Sequence, residues 1–136
     1  MHEKVRALHP AATARQPDPS LPRLPAAHIH RPRLTQALLA GDSRLTLVCA
    51  PAGFGKSVLL NECARQAPFA TRVVWLDLLG HPHSPAELLA RLAAALQLAH
   101  GDGEPCAELG LLLGRVEQPL WIILDDYPRQ PCAELD

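Results

Sequence analysis

The chain has 136 residues, of which 48% are hydrophobic and 4% aromatic, so it is long enough for one domain with a mainly aliphatic core. Thirteen lysines and arginines against fourteen aspartates and glutamates give a net charge of -1 without a basic tract, which argues against direct nucleic-acid contact by this segment. No apolar run reaches the roughly 20 residues of a membrane span and no signal peptide is recognisable, so we expect a cytoplasmic protein without a membrane partner.

The first part of the chain is rich in proline and poor in apolar periodicity. Six of the fourteen prolines fall within the first 32 residues, which is typical of a segment without regular structure. We therefore predict a flexible leader over residues 1–26, followed by a single domain over residues 27–136.

Hydrophobic periodicity and turn residues predict alternating helices and strands after the leader. In chain order these are a helix over 32–40, a strand over 45–50, a helix over 56–66, a strand over 73–76, a helix from 85 to about 96, a weaker helix over 107–116 and a strand over 120–124. Ser84 and Glu87 have the spacing of a capping box at the start of the third helix. The alternation predicts an α/β fold in which helices flank a parallel sheet, with the ligand site at the carboxyl ends of the strands.

Cysteines and histidines give weak signals for a metal in this sequence. The four cysteines are far apart and form no CxxC pair, so we favour free thiols over a zinc knuckle; they are Cys49, Cys63, Cys106 and Cys132. His81 and His83 flank a proline in a predicted loop, and a metal site built on them would lack a second cluster of ligands.

The strongest motif is the sequence APAGFGKS at residues 50–57, which matches the phosphate-binding loop GxxxxGK[ST] except that Ala50 replaces the first glycine. Its chemistry requires a run of inward-facing backbone amides, aided by the dipole of the following helix. Gly53 and Gly55 permit the backbone angles and the close approach, Lys56 brings a positive charge to the β- and γ-phosphates, and the Ser57 hydroxyl completes a Mg²⁺ shell. The predicted ATP-binding segment, in full, consists of Gly53, Phe54, Gly55, Lys56, Ser57 and Val58.

Two carboxylates follow the most apolar predicted strand, at Asp125 and Asp126. An acidic residue in this position completes a P-loop site by holding the metal's water shell, and we assign that role to Asp125. Asp126 is the candidate catalytic residue that orients the attacking water, although it is one methylene shorter than the glutamate that many ATPases use. The alternative is that both aspartates belong to a solvated turn after a core strand.

Four segments together resemble the maltose-activator (MalT-type) branch of the large LuxR-family regulators, over about residues 28–136. They are CAPAGFGKSVLL, the box Arg31-Pro32-Arg33-Leu34, the strand Val74-Trp75-Leu76, and Leu124-Asp125-Asp126-Tyr127. The resemblance implies a signal-transduction (STAND) P-loop NTPase that binds ATP, responds to an inducer, self-associates and activates transcription through a distant helix-turn-helix. It also implies that Gly53, Gly55, Lys56 and Ser57 hold the ATP phosphates, that Asp125 is the Mg²⁺ acid, and that the segment from Ile29 to Arg31 lies near the nucleotide base.

Members of that family run to several hundred residues, whereas this chain ends eleven residues after Asp125. The resemblance therefore predicts an amino-terminal fragment, a P-loop NTPase domain truncated after the acidic strand and at most a slow ATPase. In this class a later strand inserts between the P-loop strand and the acidic strand. Without it we expect either direct pairing of residues 45–50 with residues 120–124 or a loose, aggregation-prone chain.

Three functions remain open from the sequence. The first is the ATP- and Mg²⁺-binding part of a transcriptional regulator, with ATP as a switch ligand. The second is an inert or partner-binding truncation product. The third is a small P-loop phosphotransferase, which would need an acceptor site and a basic lid after the acidic strand, where only Arg129 is available.

Overall fold

The computed structural model describes residues 21–41 and 43–128, so most of the predicted leader, Cys132 and Arg129 lie outside it. The described residues form a small α/β fold of four helices and two strands. In chain order these are α1 (Pro32–Leu39), α2 (Lys56–Arg65), β1 (Arg72–Asp77), α3 (Pro85–Leu96), α4 (Pro105–Gly114) and β2 (Leu120–Asp125). None of the helices in this part of the chain combines the length and the apolar character that a bilayer crossing requires.

The two strands form a parallel sheet whose register runs from Arg72 opposite Leu120 to Asp77 opposite Asp125. Hydrogen bonds continue beyond the strand ends, because the Leu78 amide donates to the Asp125 carbonyl at 2.9 Å and the Gly80 amide to the Asp126 carbonyl at 2.8 Å. The loop after β1 therefore meets Asp125, which ends β2, and Asp126, which follows it, at the carboxyl edge of the sheet.

Helices pack on both faces of this sheet. Successive side chains of a strand point to opposite faces, so a strand can contribute to both contacts. On one face, Val74 and Leu76 of β1 and Leu78 of the following loop pack in a buried cluster with residues of α3 and α4, namely Leu89, Leu92, Ala93, Leu96 and Leu112. On the other face, Val73 packs with Ala64 of α2, with Ala67 of the turn that follows it, and with Leu21, which precedes α1. Leu21 belongs to this second cluster although it lies within the predicted leader. The boundary of the leader at residue 26 stays a prediction.

Local signals account for the starts of the helices. Pro32 occupies the first turn of α1, as predicted, and the capping box of Ser84 and Glu87 is present at the start of α3. The fourth helix begins two residues before the predicted start, at Pro105. The reason is that the Glu104 carboxylate caps it, accepting from the amides of Cys106 at 3.0 Å and Ala107 at 2.8 Å.

The predicted strand over residues 45–50 is wrong, because these residues form no strand in the structure. The side chains of Leu45 and Leu47 are 85% and 79% exposed. The predicted pairing with residues 120–124 is also wrong, since the strand paired with β2 is β1. A strand is stabilised by hydrogen bonds to a neighbour, and no other strand of the described residues lies beside this segment. The apolar sequence alone does not supply that neighbour. The loose, aggregation-prone alternative stays a prediction.

The described cysteines are free thiols, as predicted, while Cys132 lies outside the described residues. Burial raises the pKa of the Cys63 thiol, and the negative charge of Glu62 adds to the effect. The negative charge of Glu104 raises the pKa of the Cys106 thiol. Both shifts favour the protonated thiol, which is a poorer nucleophile and metal ligand than the thiolate.

Candidate functional site

The loop at residues 50–57 turns sharply into α2 through two left-handed residues. Gly53 has φ 80° and Gly55 has φ 78°, a conformation that costs other residues about 1–2 kcal/mol. The first hydrogen bond of α2 runs from the Leu59 amide to the Gly55 carbonyl at 3.0 Å. The amides of Lys56, Ser57 and Val58 therefore precede the helical hydrogen-bond ladder and remain available to a group at the start of the helix.

The start of α2 is electrostatically open to an anion. Among the described residues no side chain caps this helix, and its first turn contains no acidic residue. The Lys56 ammonium folds back over the loop and donates to the carbonyls of Ala50 at 2.9 Å and Pro51 at 3.2 Å. Its positive charge adds to that of the helix dipole at the same end, so this surface attracts negative charge.

A hydrogen bond joins the loop to the carboxyl edge of the sheet. The Ser57 hydroxyl donates to Oδ1 of Asp125 at 2.8 Å, and the Asp126 amide donates to the same oxygen at 3.0 Å. Asp125 is buried, and a hydrogen bond to a charged group contributes about 1.5–3 kcal/mol. The structure thus brings together the two residues that the sequence assigns to Mg²⁺.

Asp126 lies at the same edge but contacts a different loop. Its backbone is left-handed, with φ 52°, and its carbonyl accepts from the Gly80 amide. A Cβ atom added to Gly80 would lie 3.5 Å from Oδ2 of Asp126, so this carboxylate rests against the loop that follows β1. The catalytic role of Asp126 stays a prediction.

Arg31 makes a contact that the sequence reasoning missed. Its Nη1 donates to the Phe54 carbonyl at 2.7 Å, and its Nη2 lies 3.5 Å from the place that a Cβ atom on Gly55 would occupy. The guanidinium is therefore held against the phosphate-binding motif as a second positive charge beside Lys56. The signal in the sequence was an arginine directly before the proline that begins α1.

A cleft of about 280 Å³ lies beside the loop. It is lined by residues that precede α1 and by residues between Gly55 and Glu62. Its lining consists of Pro25, Ala27, His28, Ile29, Arg31, Gly55, Val58, Leu59 and Glu62. The segment from Ile29 to Arg31 thus lies next to Gly55 and Val58, and its place near the nucleotide base stays a prediction. The side chain of Phe54 is exposed at the turn of the loop.

Two known proteins are similar to this chain. An alignment of 115 residues with the HTH-type transcriptional regulator MalT of Serratia proteamaculans (strain 568) has 32% identity and covers 71% of the chain. An alignment of 105 residues with the protein of the same name from Cronobacter sakazakii (strain ATCC BAA-894) has 28% identity and covers 65%. The chain spans only 12% and 11% of the lengths of these two relatives. No protein-family profile and no solved structure matches it. The similarity confirms the predicted resemblance to the MalT-type regulators.

Proposed function

We propose that this chain, a relative of the MalT-type transcriptional regulators, binds ATP with Mg²⁺ at residues 50–57 and that ATP acts as a switch ligand in regulation. The observation that carries the proposal is the 2.8 Å hydrogen bond between the Ser57 hydroxyl and the Asp125 carboxylate. This hydrogen bond joins the end of an apolar strand to the first turn of the helix after a glycine-rich loop. The arrangement supports a P-loop NTPase domain. We propose the STAND class for it because of the resemblance to the MalT-type regulators. DNA contact and self-association belong, in this proposal, to other parts of such a regulator in the cytoplasm.

Phosphate binding would use groups that the loop now leaves open or weakly occupied. Lys56 would exchange its two neutral carbonyl acceptors for phosphate oxygens, whose negative charge attracts the ammonium more strongly. The amides of Lys56, Ser57 and Val58 would donate to the same phosphates. Gly53 and Gly55 hold the turn that places these amides, and Arg31 lies close enough to the loop to add a second positive charge.

Magnesium fits the chemistry of the two residues proposed to hold it. Mg²⁺ selects oxygen ligands and gives up its waters reluctantly, so it usually keeps several of them when a protein binds it. The oxygens of Ser57 and Asp125 are 2.8 Å apart, and one of them carries a buried negative charge. We assign the Ser57 hydroxyl as a ligand and Asp125 as the group that holds the ion's water shell. When bound, Mg²⁺ neutralises charge on the nucleotide's phosphates.

Hydrolysis by this chain is expected to be slow. Asp126, the residue proposed to orient the attacking water, has a short side chain that rests against Gly80. A switch ligand needs to be bound and retained more than it needs to be turned over. We therefore propose an ATP-binding protein that is at most a slow ATPase.

The proposal is tested by titrating the 136-residue chain with a fluorescent ATP analogue in the presence of Mg²⁺. We expect Lys56→Ala to weaken binding at least about tenfold, which corresponds to about 1.4 kcal/mol. Arg115→Ala is the matched control, since it also removes one positive charge but lies at the end of α4, where its side chain donates to the Ala99 carbonyl. It should bind the nucleotide as the wild type does.

The other two functions predict different outcomes, one in this titration and the other in an assay of phosphate transfer. Equal, weak signals from the wild type, Lys56→Ala and Arg115→Ala would mean that the site does not form, as expected of an inert truncation product. Transfer of phosphate from ATP to an added small acceptor would identify a phosphotransferase. Release of inorganic phosphate at about 1 per second or faster, the range of ordinary enzymes, would contradict the expected slow turnover.

A further inference from the structure

Three side chains with metal-binding atoms converge outside the phosphate loop, and two of them, His28 and Glu62, line the cleft. Nε2 of His28 lies 3.3 Å from Oε1 of Glu62, and Nδ1 of His30 lies 3.0 Å from the same oxygen. The three ligand atoms all lie within 4.8 Å of one another. The two imidazole rings meet edge to face, with their centroids 4.5 Å apart. His28 and His30 precede α1, whereas Glu62 belongs to α2, so the cluster joins two parts of the chain.

Glu62 is an unusual residue to find in this place, because its side chain is only 3% exposed. Its Oε2 accepts a long hydrogen bond of 3.4 Å from the Thr35 hydroxyl, and its Oε1 has no hydrogen-bond partner among the described residues. Removing a carboxylate from water costs several kcal/mol unless a positive charge compensates it. Among the described residues, the basic side chains within 4 Å of Oε1 are His28 and His30, so a compensating cation must come from them or bind between them.

The hydrogen bonding of His28 shows which of its ring nitrogens carries the proton and which one faces the carboxylate. Nδ1 lies 3.0 Å from the Pro25 carbonyl, which can only accept, so Nδ1 carries a proton. In the neutral ring Nε2 is then an acceptor, and it points at another acceptor, Oε1 of Glu62. Nε2 is buried and has no hydrogen-bond partner in the described part of the chain. Metal-binding histidines typically have this arrangement, with the second ring nitrogen donating to a backbone carbonyl.

We propose that His28 Nε2, His30 Nδ1 and Glu62 Oε1 bind one zinc ion, with water as its fourth ligand. Ligands of tetrahedral zinc with bonds of about 2.0–2.1 Å are about 3.3 Å apart, close to the observed 3.3 Å and 3.0 Å. Two imidazoles and a carboxylate suit zinc, whereas Mg²⁺ selects oxygen ligands alone. The ion would compensate the buried charge of Glu62. It would also bind the two buried atoms that lack a hydrogen-bond partner, His28 Nε2 and Glu62 Oε1.

The bound zinc would fasten the segment before α1 to the helix that follows the phosphate loop. The segment carries Arg31, which contacts the Phe54 carbonyl, so the ion would also fix one wall of the cleft. The zinc site depends on His28, His30 and Glu62 alone and does not require that ATP binds. Its failure in an experiment would leave the nucleotide proposal standing, and the reverse also holds.

The test is a titration of the metal-free chain with Zn²⁺ in competition with a chromophoric chelator. We expect one zinc per chain. Loss of an outer-shell partner costs about 10- to 100-fold in metal affinity, so loss of the ligand itself in His30→Ala should cost more than about 100-fold. The side chain of His30 is 70% exposed, so its removal leaves the core intact. His81→Ala removes another exposed histidine as the matched control and should bind zinc as the wild type does.

A second variant and a second metal separate the zinc site from weaker sites and from a structural role. Glu62→Gln keeps the shape of the side chain but removes its charge, and we expect it to lose zinc binding. Co²⁺ bound in place of zinc should give the visible bands of a tetrahedral nitrogen and oxygen site, without thiolate charge-transfer absorption. Zinc affinity that is unchanged by both His30→Ala and Glu62→Gln would overturn the proposal, as would the absence of any stoichiometric zinc. The buried carboxylate would then be compensated by a protonated histidine.

Discussion

The helices α2 and α3 pack on the same small sheet but begin in opposite ways. At the start of α3, the Ser84 hydroxyl accepts from the Glu87 amide at 3.3 Å and the Glu87 carboxylate accepts from the Ser84 amide at 2.8 Å. At the start of α2, Gly55 offers no side chain, and within the described residues nothing else caps the helix. One helix caps its own first turn, and the other leaves the amides of its first turn without a side-chain cap.

The exposure of apolar side chains shows the same contrast between the region around α3 and the loop that leads into α2. In the capped region, which comprises β1, α3 and α4, the side chain of Leu96 is only 1% exposed. In the open region, which comprises residues 43–57, Leu45 and Leu47 are largely exposed. The capped region is stabilised by its own contacts, whereas the open region leaves backbone amides without a side-chain cap and apolar side chains exposed. Stability and ligand binding should therefore respond to mutation in different regions.

The largest expected effect compares one substitution in the two regions. Leu96→Ala would leave a cavity in the cluster between α3, α4 and the sheet, and we expect it to lower the free energy of unfolding by about 2–5 kcal/mol. Leu47→Ala removes a side chain that is already in water and should change that free energy by less than about 0.5 kcal/mol. Urea unfolding followed by circular dichroism measures both. Similar losses in the two variants would show that the segment at residues 45–50 is buried in solution.

A smaller effect, of opposite sign in the two regions, is expected at two glycines. A Cβ atom added to Gly53 or to Gly110 would meet no atom within 4 Å, so the two sites differ in backbone conformation and not in space. Gly110 lies inside α4, and Gly110→Ala should raise the free energy of unfolding by about 0.5–1 kcal/mol. Gly53 has φ 80°, and Gly53→Ala should lower it by about 1–2 kcal/mol.

The same urea titration checks the glycine pair, and nucleotide binding provides a second measurement. Gly53→Ala should also weaken binding of the fluorescent ATP analogue, whereas Gly110→Ala should leave it unchanged. Stabilisation by both substitutions would mean that the loop abandons the left-handed turn in solution. The proposed phosphate site would then lose the geometry on which it depends.

The sequence predicted the elements whose cause is local. A proline at the first turn of α1 and the paired residues Ser84 and Glu87 of α3 act within a few positions, so both helix starts were predictable. The start of α4 was missed by two residues because Glu104, an uncommon capping residue, was not recognised as one. The strand over residues 45–50 failed for the opposite reason, since a strand exists only beside a neighbour that the local sequence does not contain.

The candidate site was predictable in part. The spacing of the glycine-rich loop and the aspartate at the end of β2 indicated Ser57 and Asp125, and a hydrogen bond joins these two residues in the structure. The contact between Arg31 and Phe54 depends on how α1 packs on α2, which no local pattern encodes. The two histidines that flank Ile29 led to no prediction, because their third partner, Glu62, lies in a helix far along the chain and no local spacing links the three.

The smallest expected effect sharpens the contrast between the helix starts through its dependence on pH. Hydrogen bonds from the Ser84 backbone amide, and then from its hydroxyl, lower the pKa of Glu87 below its ordinary value of 4.5. Between the two pKa values the unfolded chain binds more protons than the folded chain. The stabilisation by Glu87 is therefore complete above the ordinary pKa and is lost as the pH falls through the lowered one.

Glu87→Gln keeps an acceptor for the Ser84 amide but cannot titrate, so it isolates this contribution. The difference in unfolding free energy between the wild type and Glu87→Gln should be constant near about pH 7 and shrink as the pH falls below about 4.5. Glu104, whose pKa is lowered by the amides that it caps, is present in both proteins and cancels from the difference. A difference that stays flat down to about pH 3 would mean that the carboxylate does not cap α3 in solution. The two helix starts would then differ less than the structure indicates, and an open first turn would cease to distinguish α2 as the ligand-binding helix.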